Sequence, residues 1–213
     1  MLEHGLDRVG SVLCLGAHAD DIEIGCGGTL LKLARDNPHV KVRWVVFSGR
    51  GRRGGEARRA ARIFLKGFRR PHVSIESFED GFFPHDWQRI KRRFERLKKT
   101  CEPDVVVTHC RDDRHQDHRV VSDLTWNTFR RHLILEYEIP KYDGDLGSPN
   151  VFVRLEEEIC RTKADLACRS FKSQSEKHWF TPDTFMSLMR LRGMECASPT
   201  RYAEAFYCRK LVL

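Results

Sequence analysis

Two short stretches hold most of the side chains in this sequence that are placed to bind a metal ion and move a proton. AHADD sets His18, Asp20 and Asp21 directly after the apolar run SVLCLG, and HQDH sets His115, Asp117 and His118 a few residues after DVVVTH. Two histidines and one carboxylate are a common ligand set for a catalytic zinc, with a fourth position left for water. Bound zinc lowers the pKa of that water from about 15.7 to roughly 7, and a second carboxylate nearby can take its proton. Read singly, each stretch has a plainer explanation. HQDH can be a solvated turn, ADD can be a helix N-cap whose charge suits the dipole, and His109 can be a packed core histidine. The glycines of GCGG lack the G-x-G-x-x-G spacing and do not define a dinucleotide site.

The elements that must position these residues are legible from hydrophobic pattern. SVLCLG, KVRWVVFS, HVSIESF and DVVVTH are rich in Val, Ile and Leu, and the most apolar of them are too hydrophobic for a half-exposed sheet. Between them GGTLLKLARDN, GEARRAARIFLKGF and DWQRIKRRFERLKKT carry helical spacing. Strand alternating with helix predicts an α/β fold, a Rossmann-like, mostly parallel sheet with helices on both faces. The second half continues with a helix in RVVSDLTWNTFRR, a strand LILEYEI, a loop PKYDGDLGSPN and a strand VFVRL. A helix EEEICRTKADLACRSF, a helix near PDTFMSLMRLRG and a last strand YAEAFYC complete it. In such a sheet ligands bind beyond the carboxyl ends of the strands. His18, Asp20 and Asp21 can therefore face His115, Asp117 and His118 if the first and fourth strands are neighbours.

At 213 residues the chain fits a single domain, 1–213, with no repeat or linker dividing it. Its net charge of +8 is compatible with nucleic acid, membrane headgroups, phosphorylated metabolites or no special partner. RIKRRFERLKK reads as a helix with Ile90, Phe94 and Leu97 inward and a solvated basic face, whereas Arg50, Arg52 and Arg53 hang over a strand end where an anion could sit. The eight cysteines match neither a zinc ribbon nor a disulfide framework. With no signal-like start and no long apolar run, the expectation is a cytoplasmic protein without a membrane span.

AHADDIEIGCGGTL together with HQDH resembles the LmbE or PIG-L family of zinc-dependent N-acetyl-sugar deacetylases, whose hallmark is A-H-P-D-D-E and a later H-x-D-H. SGRGRRGGEARRAARIFLKG, KADLACRSFKSQ and YAEAF resemble further segments of that family. The resemblance implies an LmbE-like fold in which His18, Asp21 and His118 bind Zn2+ and Asp20 is the general base. It further implies that His115 stabilises the oxyanion or protonates the leaving amine, that Asp117 orients His115, and that Tyr202 helps to polarise the carbonyl. Arg53, Glu56 and Asp80 would lie near the substrate. Ala19 replaces the family's proline, and Ile22 stands where the hallmark has glutamate, with Glu23 one place on.

The function expected is hydrolysis of an N-acetyl or related N-acyl group from an amino sugar or sugar conjugate. One rival is a metal-dependent phosphoesterase, since Asp and His also build two-metal sites. Another is a basic nucleic-acid-binding protein, against which stands the absence of an aromatic-interleaved basic platform. The expected partner is a small N-acetylated sugar or conjugate, and the sequence leaves a homo-oligomer open.

Overall fold

The computed structural model describes residues 9–212. Residues 1–8 and Leu213, which the single-domain reading and the reading of the N-terminus include, lie outside the described residues. Strands β1 (Ser11–Gly16), β2 (Lys41–Val46), β3 (His72–Ile75), β4 (Val105–His109), β5 (Leu133–Tyr137), β6 (Val151–Leu155) and β7 (Tyr202–Tyr207) form one sheet, ordered β3-β2-β1-β4-β5-β7-β6. The first five are parallel, while β7 runs antiparallel to both β5 and β6. The helices are α1 (Asp21–Asp36), α2 (Gly51–Phe64), α3 (Trp87–Thr100), α4 (Gln116–Thr128), α5 (Glu157–Ser170) and α6 (Pro182–Glu195).

Alternation along the strands builds two cores. Val12 and Cys14 of β1, Trp44 of β2 and Val107 of β4 face the layer containing α1, α2, α5 and α6. Leu13, Leu15, Val45 and Val106 face α3 and α4. The expected inward stripe of α3, Ile90, Phe94 and Leu97, is buried in that second core. Because successive strand residues point to opposite faces, a sheet covered on both sides needs apolar residues at nearly every position.

Three helices start earlier than their patterns predict. The spacing places the first helix at GGTLLKLARDN, yet α1 begins at Asp21 and runs through Gly25, Gly27 and Gly28 with a break at Cys26 (φ −144°). Glycine costs helix propensity, but packing demands it here. A Cβ on Gly25 would lie 2.3 Å from the Tyr137 ring. At the break, a buried ion pair from two distant elements takes over the freed backbone groups. Glu204 of β7 accepts from Gly28 N (2.8 Å) and Thr29 N (2.6 Å), and Lys163 of α5 donates to Ile24 O (2.6 Å) and Glu204 Oε1 (2.6 Å). Removing one member of a buried pair strands the other. Lys163→Met should therefore lower unfolding free energy by about 3–5 kcal/mol in a urea titration; a loss below about 1 kcal/mol would show that the break is held by packing alone. The other early starts are α2, at Gly51 rather than Gly55, and α4, discussed next.

Candidate metal centre

The chain reverses direction across the sheet between β1 and β4. From β1 it moves outward to β2 and β3, then crosses back to place β4 on the other side of β1. Such a switch point opens a crevice at the carboxyl ends of the two strands. His18, Asp20 and Asp21 follow β1 there, and the segment 109–118 follows β4. HQDH is not the charged loop its composition allows. His115 is the N-cap of α4, its Nδ1 accepting from Asp117 N (3.2 Å), and Asp117 and His118 lie in the first turn.

Three ligand-type side chains meet in this crevice. His18 Nδ1 is 3.1 Å from His118 Nε2 and 3.5 Å from Asp21 Oδ2, and His118 Nε2 is 3.6 Å from Asp21 Oδ1. Tetrahedral coordination with bonds of about 2.0–2.1 Å puts ligands about 3.3 Å apart, so the spacing fits a zinc-sized ion. The outer nitrogens explain why the inner ones face each other. His18 Nε2 lies 3.0 Å from Asp117 Oδ2, and His118 Nδ1 lies 2.8 Å from Asp113 Oδ2. A carboxylate on the far nitrogen fixes the tautomer that turns the other nitrogen's lone pair inward, an arrangement typical of metal-ligating histidines. Two lone pairs and a carboxylate then converge, and only a cation or a proton relieves their repulsion.

The titration behaviour follows. Burial opposes charge on His18, but Asp21, with Asp117 and Asp80, raises its pKa well above the ordinary imidazole value. Burial and the neighbouring His109 hold His118 down to about 3, leaving it neutral. Asp21 is held well below the usual carboxylate range, its burial outweighed by His118, His109 and His18. Burial and the adjacent Asp21 raise the Asp20 carboxyl, with Arg53 pulling the other way. Burial and His18 lower His115, and since its Nδ1 accepts from backbone, a neutral His115 carries its proton on Nε2.

Of the remaining expected residues, Arg53 and Asp80 join the cluster and Glu56 and Tyr202 do not. Arg53 bridges Asp80 and Asp20, with Nη2 3.2 Å from Asp20 Oδ1, and Asp80 Oδ1 lies 3.2 Å from His18 Nε2. Glu56 is buried and anchors the segment after α5, accepting from Ser173 N (3.2 Å) and from the Ser173 hydroxyl. Tyr202 packs beneath Arg190 and against the patch of Leu155, Cys160 and Met189. Asp117 does not orient His115 through its carboxylate. That group accepts from Gly81 N (2.6 Å) and Phe83 N (3.1 Å) and pairs with His18. Arg50 and Arg52 are turned to Ser77 O and Glu56.

Three residues outside the expected ligand set hold the centre, one of them the His109 that also read as a packed core histidine. Asp113 supports His118, while His109, fully buried at the end of β4, accepts from Ala17 N (2.9 Å), stacks on His118 (3.9 Å) and lies 3.1 Å from Asp21 Oδ2. Lys141 reaches Asp113 (3.1 Å) from the loop after β5. Asp113 was detectable as a carboxylate five places before a ligand; Lys141 carries no local signal. Glu23 is buried with neither carboxylate oxygen hydrogen-bonded, and burial pushes its pKa well up.

Fold and site together define an α/β protein with a His/carboxylate cluster, fit for a cation, at its topological switch point. Residues 13–129 match the family described as PIG-L, GlcNAc-PI de-N-acetylase, and the chain belongs to that family. It is 30% identical over 162 residues to the uncharacterized deacetylase YaiS of Escherichia coli (strain K12), a match spanning 71% of this chain and 85% of that one. The N,N'-diacetylchitobiose deacetylase of Pyrococcus horikoshii shares the fold, with a TM-score of 0.70 at 21% identity over 95% of this chain and 85% of that chain. So does GalB, the 4-carboxy-2-hydroxymuconate hydratase of Pseudomonas putida KT2440, with a TM-score of 0.67 at 16% identity over 95% and 97%. A fold shared by a deacetylase and a hydratase leaves the reaction to be argued from the site. Among the described residues no helix is long and apolar enough to cross a membrane.

Proposed function

We propose that this protein is a zinc-dependent N-deacetylase acting on an N-acetylated amino sugar or sugar conjugate. The observation that carries the reading is the convergence of His18 Nδ1, His118 Nε2 and the Asp21 carboxylate within 3.1–3.6 Å, each histidine backed by a carboxylate. When bound, the metal supplies a Lewis acid and a more acidic water. Asp20, buried beside Asp21 and more basic than an ordinary carboxylate, takes the proton of the attacking water. Neutral His115 donates a hydrogen bond from Nε2 to the carbonyl oxygen as negative charge grows there, and the proton that Asp20 has taken from the water passes to the departing amine. Arg53 keeps Asp20 aimed and partly balances its charge. Asp117 and Asp113 hold the two histidines in register.

The test is to load the purified protein with zinc, count the metal and follow acetate release from a panel of N-acetylated sugars and sugar conjugates. The expected result is one metal per chain and acetate released from at least one of them. Stoichiometric zinc with no acetate from any panel member would overturn the reading. Two metals per chain with phosphate released from phosphoesters would replace it with a phosphoesterase.

A further inference from the structure

The carboxylates behind the two ligand histidines keep different company. Asp117, behind His18, accepts from the neutral N–H groups of Gly81 and Phe83. Asp113, behind His118, meets a cation. Its Oδ2 lies 2.8 Å from His118 Nδ1 and 3.1 Å from Lys141 Nζ, so one oxygen serves both, while its Oδ1 accepts from His115 N (2.8 Å). Lys141 arrives from the loop after β5 and pairs on its other side with Asp145, which accepts from Arg114 N (2.8 Å). The side chains of Asp113, Lys141 and Asp145 are only 3%, 9% and 5% exposed, and water screens their contacts little. The loop already grips the segment before α4 through Asp145 and Arg114 N, and Asp113 is already anchored at His115 N. Neither attachment requires an ammonium on the oxygen that faces His118.

A carboxylate that accepts from the outer N–H of a ligand histidine pushes electron density towards the inner nitrogen, which makes it a stronger metal donor. An ammonium on the same oxygen draws that density back. We infer that Lys141 is a positioning residue acting through Asp113: by sharing Oδ2 with His118 it weakens His118 as a donor, so the site gives up zinc affinity and the bound ion keeps more of its Lewis acidity. The inference rests on the zinc-deacetylase reading for the identity of the metal and for the turnover it would serve.

Two variants test it. Lys141→Gln removes the ammonium and keeps N–H donors. Lys141→Gln/Asp145→Asn also removes the counter-charge, so no buried carboxylate loses its partner and the net charge is unchanged. Competition against a chromophoric chelator gives zinc affinity, and acetate release from an N-acetylated sugar gives kcat and KM per bound zinc. Both variants should hold zinc about tenfold more tightly, with kcat lowered and KM unchanged, and Lys141→Arg should behave as wild type. On an Asp113→Asn background the paired change should leave zinc affinity unaltered. A lysine that only props the loop predicts the opposite sign, looser zinc in both variants. Unchanged or weaker zinc binding, tighter zinc with unaltered kcat, or the same gain on the Asp113→Asn background would each overturn the inference. If Lys141→Gln alone does not fold, the paired variant decides; failure of both to fold would make the lysine structural and overturn the inference too. A wild type that holds zinc but releases no acetate sinks the deacetylase reading, and the zinc affinities then decide the role of Lys141 by themselves.

Discussion

Asp20→Asn should lower turnover of any N-acetylated substrate by about 10²–10⁴-fold while zinc remains bound at one per chain. The side chain keeps its shape and loses its basicity, and it is not one of the three converging ligand side chains. A metal count and a steady-state rate on the same preparation separate the two effects. Since Arg53 spans Asp20 and Asp80, the asparagine still accepts from its guanidinium, and a structural collapse is not expected. Full activity with stoichiometric zinc would remove Asp20 from the base role and pass it to another group at the crevice, with Asp80 the nearest carboxylate on Arg53.

Metal affinity should fall in two distinct steps when His118 and its support are changed. His118→Ala removes one of three ligands, so the purified protein should hold little zinc and release no acetate. Asp113→Asn leaves the ligand in place but weakens the acceptor on its Nδ1, and should cost about 10–100-fold in zinc affinity. Competition against a chromophoric chelator measures both. Lys141 sharpens the second prediction, because it donates to the same Asp113 oxygen as His118. An asparagine there also leaves Asp145 as the carboxylate that pairs with Lys141. A His118→Ala protein with full zinc content would move the metal to another of the overlapping His/carboxylate groups in the crevice, such as His18 with Asp80 and Asp117.

The sites of these three variants were visible in the sequence to different degrees. His118 and Asp20 stand in the two stretches where histidine and aspartate follow apolar runs, a placement that burial costs would normally forbid. Asp113 was visible but unassigned, because a carboxylate in the run RDDRHQDH looks like any solvated acid until its oxygen is found 2.8 Å from His118. Lys141 was invisible, being 28 residues beyond Asp113 in a loop whose turn residues say nothing of where it packs. For Glu56 the resemblance implies a place near the substrate; a glutamate on α2 can turn either way round the helix, and here it turns inward to Ser173.

The sequence by itself determined the elements and the chemistry: apolar runs too continuous for a half-exposed sheet, helices between them, and two polar stretches at strand ends with the ligand types of a metal. Those properties are local, set by periodicity and by the cost of burying charge. Only the tertiary structure decided that the stretches form one centre. His18 and His118 are 100 residues apart in the chain and 3.1 Å apart in space because β4 pairs with β1 rather than with β3. Which strand a crossover returns to depends on how the two helical layers cover the whole sheet, a property of many residues at once. The kink of α1 has the same origin, since the lysine and glutamate that hold it come from α5 and β7, elements no reading of the helix itself contains.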